Sequence, residues 1–176
     1  LAVYVTNEKV LGSDGTVSVI DTATNSAVKE ITVGSAPRGL VASPDGEKVY
    51  VVNSGEGTIS VIEVASNSVV NTITVGNSPQ GIAITPSGTT LFVTNSTDKT
   101  VTVIDAATEL PVADSPVAVG VKPQGVACSR DSRYTYVCNY ADNTISVINN
   151  YRLSATPGTI AVGNSPESIV VSPDGA

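Results

Sequence analysis

The sequence predicts an all-β fold, a β-propeller with four blades of four antiparallel strands, and three observations carry that prediction. Asparagines close YVTN (4–7), YVVN (50–53), FVTN (92–95) and YVCN (136–139), spaced by 46, 42 and 44 residues. A second set keeps the same order: SVID (18–21), SVIE (60–63), TVID (102–105) and SVIN (146–149), followed by VGSAPRG (33–39), VGNSPQG (75–81), VGVKPQG (119–125) and VGNSPES (162–168). Between these anchors, clusters of Gly, Pro, Asn and Asp cut the apolar runs to strand length, and no helical periodicity appears. Repeats of about 40–45 residues holding four strands each are propeller blades.

Within a unit the strand after the proline is expected innermost, followed outward by the YVTN strand, the SVID strand and a last outer strand. Blade 1 spans residues 1–38 and holds only three of these, since no post-proline strand precedes its YVTN. Blades 2, 3 and 4 span 39–80, 81–124 and 125–167. In the blade that starts at Gly81 the expected strands are GIAIT (81–85), TLFVTN (90–95), KTVTVID (99–105) and LPVADSPVAV (110–119). A lone inner strand follows in 168–176, with SIVVS (168–172) as its body. Stretches such as VSVI (17–20) and TVTVI (100–104) place apolar residues side by side, as a sheet covered on both faces requires. The absence of Trp and of repeated double glycines argues against the WD40 and kelch versions.

Composition agrees with this architecture. At 176 residues the chain reads as a single domain, 41% hydrophobic and only 4% aromatic, with Val and Ile carrying the apolar load. Charged residues make up 14% and the net charge is −7, so an electrostatic grip on nucleic acid or anionic lipid is not expected. No run reaches the roughly 18 apolar residues of a membrane span, and the first residues lack the charged-then-apolar build of a signal peptide. The start at Leu1, without Met, suggests a processed product, a fragment or part of something longer.

Taken in order, the YVTN-type tetrapeptide, the T-[IV]-[ST]-V-I-[DEN] strand, the V-G-x-x-P-x-G turn and the S-P-D-G turn resemble the YVTN family of β-propeller repeat proteins. The resemblance covers nearly the whole chain. It implies a secreted or cell-surface protein of archaea or bacteria, of a kind that is typically seven-bladed and often without assigned chemistry. Two departures stand out: only four units are present, and Ser168 stands where the other units have Gly39, Gly81 and Gly125.

The two ends read as halves of one blade, which leaves three arrangements. The chain closes on itself as a four-bladed ring, pairs with a second copy in an eight-bladed ring, or forms an arc of a larger propeller. An open arc leaves two flanks rich in Val and Ile, which should associate. The expected partner is therefore a protein, or another copy of the chain, completing a larger ring.

The chemistry open to the chain is narrow. It has no histidine, no C-x-x-C-H and no G-x-S-x-G, which excludes the common triads, His metal sites and haem attachment. GEGTIS (55–60) is half of a dinucleotide fingerprint in a strand-turn-strand setting and reads as a hairpin turn. No cofactor and no metal are expected. The SPDG turns (43–46 and 172–175) look superficially like calcium loops but lack the ligand density, so Asp45 and Asp174 read as turn residues. Asn53, Asn95 and Asn139 precede Thr58, Thr100 and Thr144 by five residues and are expected to satisfy backbone groups of the loop between, with Asn7 and Thr16 as the pair in blade 1. Asn95-Ser96-Thr97 is a glycosylation sequon. Cys128 and Cys138 read as two free, buried thiols, a disulfide being the alternative.

Strand alternation gathers the post-proline turns and the loops after YVTN on one axial face. Arg38, Gln80, Gln124 and Glu167 are expected at the entrance to the central channel, with Lys9, Asp14, Glu56, Asp98, Lys99, Tyr140 and Asp142 further out. Arg38 and Glu167 become neighbours if the ring closes on itself. The loop EKVLGSDG (8–15), four residues longer than its counterparts, is the most distinctive surface feature. The expected function is a non-catalytic extracellular or cell-surface module that scaffolds partners through this face. The alternative is an enzyme or enzyme subunit of the lactonase-like or redox-propeller type.

Overall fold

Four antiparallel sheets follow one another along the chain in the computed structural model, which describes residues 1–8, 13–155 and 160–172. Blade 1 is three-stranded, with β1 (Ala2–Asn7), β2 (Asp14–Asp21) and β3 (Ser26–Ser35). Blade 2 comprises β4 (Pro37–Ala42), β5 (Lys48–Asn53), β6 (Thr58–Glu63) and β7 (Ser68–Thr74). Blade 3 comprises β8 (Pro79–Ile84), β9 (Thr90–Asn95), β10 (Thr100–Asp105), β11 (Leu110–Pro111) and β12 (Val117–Ala118). Blade 4 comprises β13 (Pro123–Cys128), β14 (Tyr134–Asn139), β15 (Thr144–Asn149), β16 (Ser154–Ala155) and β17 (Ile160–Ala161). Each sheet is hydrogen-bonded in the predicted order, inner strand to outer strand.

The inner strands share one irregularity. Pro37 faces Asn53 and Leu40 faces Val51, so three steps on β4 match two on β5, and the same bulge recurs in Pro79/Ile82 and Pro123/Val126. Proline suits the first position because it has no N–H to give the ladder, and the extra residue turns the strand toward the axial mouth. The residue before each proline is left-handed, at Ala36, Ser78, Lys122 and Ser165.

Alternation along each strand explains the adjacent apolar residues. Val49 and Val51 face blade 1 and pack with Val17, Val19, Ile31 and Val33. Their neighbours Tyr50 and Val52 face blade 3 and pack with Leu91, Val93 and Ile104. A third core joins blades 3 and 4 through Phe92, Val101, Val103, Val137 and Ile148. Each fully buried aliphatic side chain contributes about 1.5–3 kcal/mol as an upper bound, so these seams between blades hold the arc together.

Two expectations need correction. The outer strand of blade 3 is not continuous over 110–119 but split into β11 and β12. Pro111 and Pro116 cannot donate to a ladder, and Val103 instead donates its N–H to Ser115 Oγ at 2.9 Å and accepts from Val112 N at 3.0 Å. The segment 168–172 joins none of the four sheets, and β1 pairs with β2 alone among the described strands, so closure of the ring within one chain is not adopted. Glu167 instead accepts a hydrogen bond on its carbonyl from Gly125 N at 2.9 Å, which seats 166–171 beside β13 where the next inner strand belongs.

Both cysteines are free, as expected, but only Cys138 is fully buried while Cys128 is half-buried. Burial pushes the Cys128 thiol up to about 11. Alkylation of Cys128 at pH 8 is therefore expected to run on the order of a hundredfold slower than for an unperturbed thiol, and mass spectrometry of iodoacetamide-treated protein would read this directly.

Candidate functional site

The axial mouth is built by the three bulges. Each carries the residue after the proline to the rim, so Arg38, Gln80 and Gln124 line one depression of about 450 Å³, together with Glu167, Thr6 and Glu8. The glycines that follow let the inner strands approach. A Cβ on Gly39 would stand 2.8 Å from Gln80 O, one on Gly81 2.4 Å from Gln124 O and one on Gly125 2.6 Å from Glu167 O. Ser168, the departure noted in the sequence, stands at the fourth place of this series, its Cα 2.9 Å from where a Cβ on Gly125 would stand. Threonines of the YVTN strands stitch the rim: Thr6 Oγ1 donates to Arg38 O at 3.0 Å, and Thr94 Oγ1 to Gln124 O at 2.7 Å.

Side-chain pairing at the mouth follows a rule the sequence did not reveal. Arg38 bonds Glu8 of the preceding blade, with Nη1–Oε2 at 3.2 Å, and Gln80 Nε2 donates to Ser54 Oγ at 2.9 Å. In both cases the post-proline residue reaches the residue just after the preceding YVTN-type asparagine. Arg38 therefore pairs with Glu8 and not with Glu167. Both groups of that ion pair are about half exposed, so the bridge orients the guanidinium more than it stabilises the fold.

The acids placed further out have a different task. Asp98 accepts from Asn77 N at 2.7 Å and from Asn77 Nδ2 at 2.9 Å, Asp142 accepts from Val121 N at 2.6 Å, and Glu56 accepts from Ser35 N at 3.0 Å. Each lies three residues after the asparagine that closes YVTN and holds the V-G-x-x-P turn of the blade before it. The Asn77 hydrogen bonds hold the Asp98 carboxyl below the usual carboxylate range. Lys99 sits in a left-handed turn and its carbonyl accepts from Val119 N, while Tyr140 N donates to Lys122 O. Asp14 is exposed at the start of β2, and Lys9 lies outside the described residues.

The asparagines form the second half of this staple. Asn95 is fully buried, donates Nδ2 to Thr100 Oγ1 at 3.1 Å and Thr102 Oγ1 at 2.8 Å, and accepts from Gly76 N at 3.1 Å. Asn139 does the same with Thr144, Ser146 and Gly120. Asn53 keeps the two donated bonds, to Thr58 and Ser60, but its buried Oδ1 has no partner. The partners are thus strand hydroxyls and a glycine of the neighbouring blade, not the loop between. Burial also removes Asn95 from reach as a glycosylation acceptor in the folded blade.

At the opposite end, the SPDG turn is held as expected, with Glu47 N donating to Asp45 Oδ1 at 3.0 Å and Lys48 N to Ser43 Oγ at 3.0 Å. Asp174 lies outside the described residues. A shallow cavity of about 310 Å³ opens there between blades 2 and 3, beside a half-buried ion pair of Lys48 Nζ with Glu109 Oε1 at 2.6 Å. Burial pushes the Glu109 carboxyl up, but hydrogen bonds from Asn71 and Lys48 outweigh it and hold the group below its ordinary value. Among the described residues no three His, Cys, Asp or Glu side chains converge as metal ligands, and no helix is long and apolar enough to cross a membrane.

Residues 1–156 match the family described as the choice-of-anchor I domain. Among solved structures, a chain of the Kuenenia stuttgartiensis hydrazine synthase superimposes with a TM-score of 0.75 at 26% identity, over 81% of this chain and 42% of that one. A functionally unknown protein from Desulfotomaculum acetoxidans DSM 771 superimposes with a TM-score of 0.80 at 20% identity, over 98% of this chain and 60% of that one. The second likeness concerns the fold alone, and the chain spans less than two thirds of either protein. No curated protein sequence matches the chain.

Proposed function

Because the chain belongs to the choice-of-anchor I domain family, we propose that it is a non-catalytic, extracellular or cell-surface module that holds a protein partner against the axial mouth. Family membership supports a place at the cell surface. The four repeated motifs support the finer assignment to YVTN repeats of the surface-layer type. One observation carries the reading: the acids of this face, Glu56, Asp98 and Asp142, are engaged by backbone N–H groups of the turns. What remains at the rim is an ion pair, two amides and Glu167 around an open depression, a surface suited to hydrogen-bonded docking.

The test is retention of the purified chain on cell-envelope fractions from its source. Gln80→Lys together with Gln124→Lys is expected to lower retention at least about tenfold while leaving thermal unfolding unchanged. Undiminished retention would overturn the reading.

A second reading, an enzyme or enzyme subunit of the lactonase-like or redox-propeller type, draws support from the likeness to a chain of a hydrazine synthase. Hydrolysis of simple lactones by the wild type, lost in Glu167→Ala, would establish it in place of the first.

A further inference from the structure

The first residue of each YVTN-type strand faces, across the seam, the left-handed residue that precedes the outer strand of the next blade. Tyr4 Oη donates to Asn67 Oδ1 at 2.9 Å, and Phe92 shares an apolar core with Leu153. Between blades 2 and 3 the corresponding residues are Tyr50 and Glu109, and they are not joined. Lys48 Nζ and Asn71 Nδ2 take the two Glu109 oxygens instead. Tyr50 is only 1% exposed and packs with Leu91, Val93 and Ile104, yet its hydroxyl makes no hydrogen bond among the described residues. A buried polar group without a partner calls for one.

That hydroxyl reaches the cavity of about 310 Å³ between the two blades, whose other walls are turns: Asp45 and Glu47 from blade 2, Asp105 and Ala106 from blade 3. Asp45 Oδ1 accepts from Ser43 Oγ and Glu47 N, and Asp105 Oδ1 accepts from Ala107 N and Thr108 N. Oδ2 of each carboxylate accepts from no group among the described residues. The Ser43 hydroxyl at Asp45 and the Thr108 N–H at Asp105 hold both carboxyls below the usual carboxylate range, so both are ionised at neutral pH. The cation in the wall, Lys48, is already matched by Glu109. The cavity therefore offers acceptors and negative charge in excess.

We propose that this cavity binds an organic cation, a guanidinium or ammonium group on a short aliphatic stem, its N–H donors meeting Asp45, Asp105 and the Tyr50 oxygen and its stem lying on Ala106. A compact metal ion finds no three converging ligands among the described residues, and a neutral polyol would leave the excess charge unmatched. The site lies at the end opposite the axial mouth and stands apart from the reading given to that mouth.

Titration of the isotope-labelled 176-residue chain with butylguanidinium, followed by amide chemical shifts, tests this. Saturable shifts are expected at Thr89, Ala106 and Ala107 and none at Gln80 or Gln124, with a Kd on the order of 1 mM. Butylurea, neutral and of nearly the same shape, should bind at least about tenfold more weakly. Asp105→Asn keeps the Oδ1 acceptor of its turn but loses the charge, and should weaken binding about fivefold. Tyr50→Phe gives blade 2 the residue that blade 3 has at this place, so thermal unfolding should not change while binding weakens about threefold. Tyr4→Phe, which loses a made hydrogen bond, should lower the melting temperature. A blocked Gly-Arg-Gly tripeptide that binds as tightly as butylguanidinium would assign the cation to a side chain of a partner, and its exclusion would assign it to a free small molecule, the class being supported in both cases. No saturation up to about 50 mM, equal binding of butylurea, tighter binding of methyl glucoside, or affinity indifferent to Asp105→Asn would each overturn the proposal.

Discussion

Asn95→Ala is expected to lower the stability of the chain by about 3 kcal/mol, measured by chemical denaturation. The side chain is fully buried and makes three hydrogen bonds, two within its own blade and one to Gly76 N of the preceding blade. Alanine would leave the Gly76 N–H and the two threonine hydroxyls without that acceptor or donor in a dry seam, where each lost partner costs about 1–3 kcal/mol. Asn53→Ala provides the internal comparison, since the Asn53 Oδ1 has no partner. Its loss should be smaller by about 1 kcal/mol. Equal losses at both positions would show that the glycine contact contributes nothing.

Phe92→Ala should cost about 3–5 kcal/mol. Phe92 is the one phenylalanine of the sequence, wholly excluded from solvent, and it lies in the seam with Val137 and Ile148 of the next blade. Sheets pressed face to face across a narrow seam cannot collapse into the hole, so the cavity term should be retained almost in full. The measurement is again chemical denaturation, with hydrogen exchange to show that blade 4 loses protection first.

The architecture was legible because its signals are local. Proline at 37, 79 and 123 and glycine two residues later mark a strand start and a close approach, and both requirements are met by backbone geometry within a few residues. The convergence of Arg38, Gln80, Gln124 and Glu167 followed from the same register. What was not legible depends on neighbours in space. The pairing of Arg38 with Glu8 crosses a blade boundary 30 residues apart. The roles of Glu56, Asp98 and Asp142 depend on N–H groups 21 residues away, which no pattern of charges announces. The broken outer strand of blade 3 was foreshadowed by Pro111 and Pro116, yet the apolar run around them outweighed that signal.

The three separate apolar seams have a thermodynamic consequence. Since each blade touches only its immediate neighbours, the free energy of the arc resembles a one-dimensional chain of pairwise couplings, with no central nucleus shared by all. Among the described residues blades 2 and 3 each take part in two seams, so a substitution in either should loosen both of its neighbours, whereas one confined to a single seam should lower the melting point of the two sheets it joins rather than of the whole.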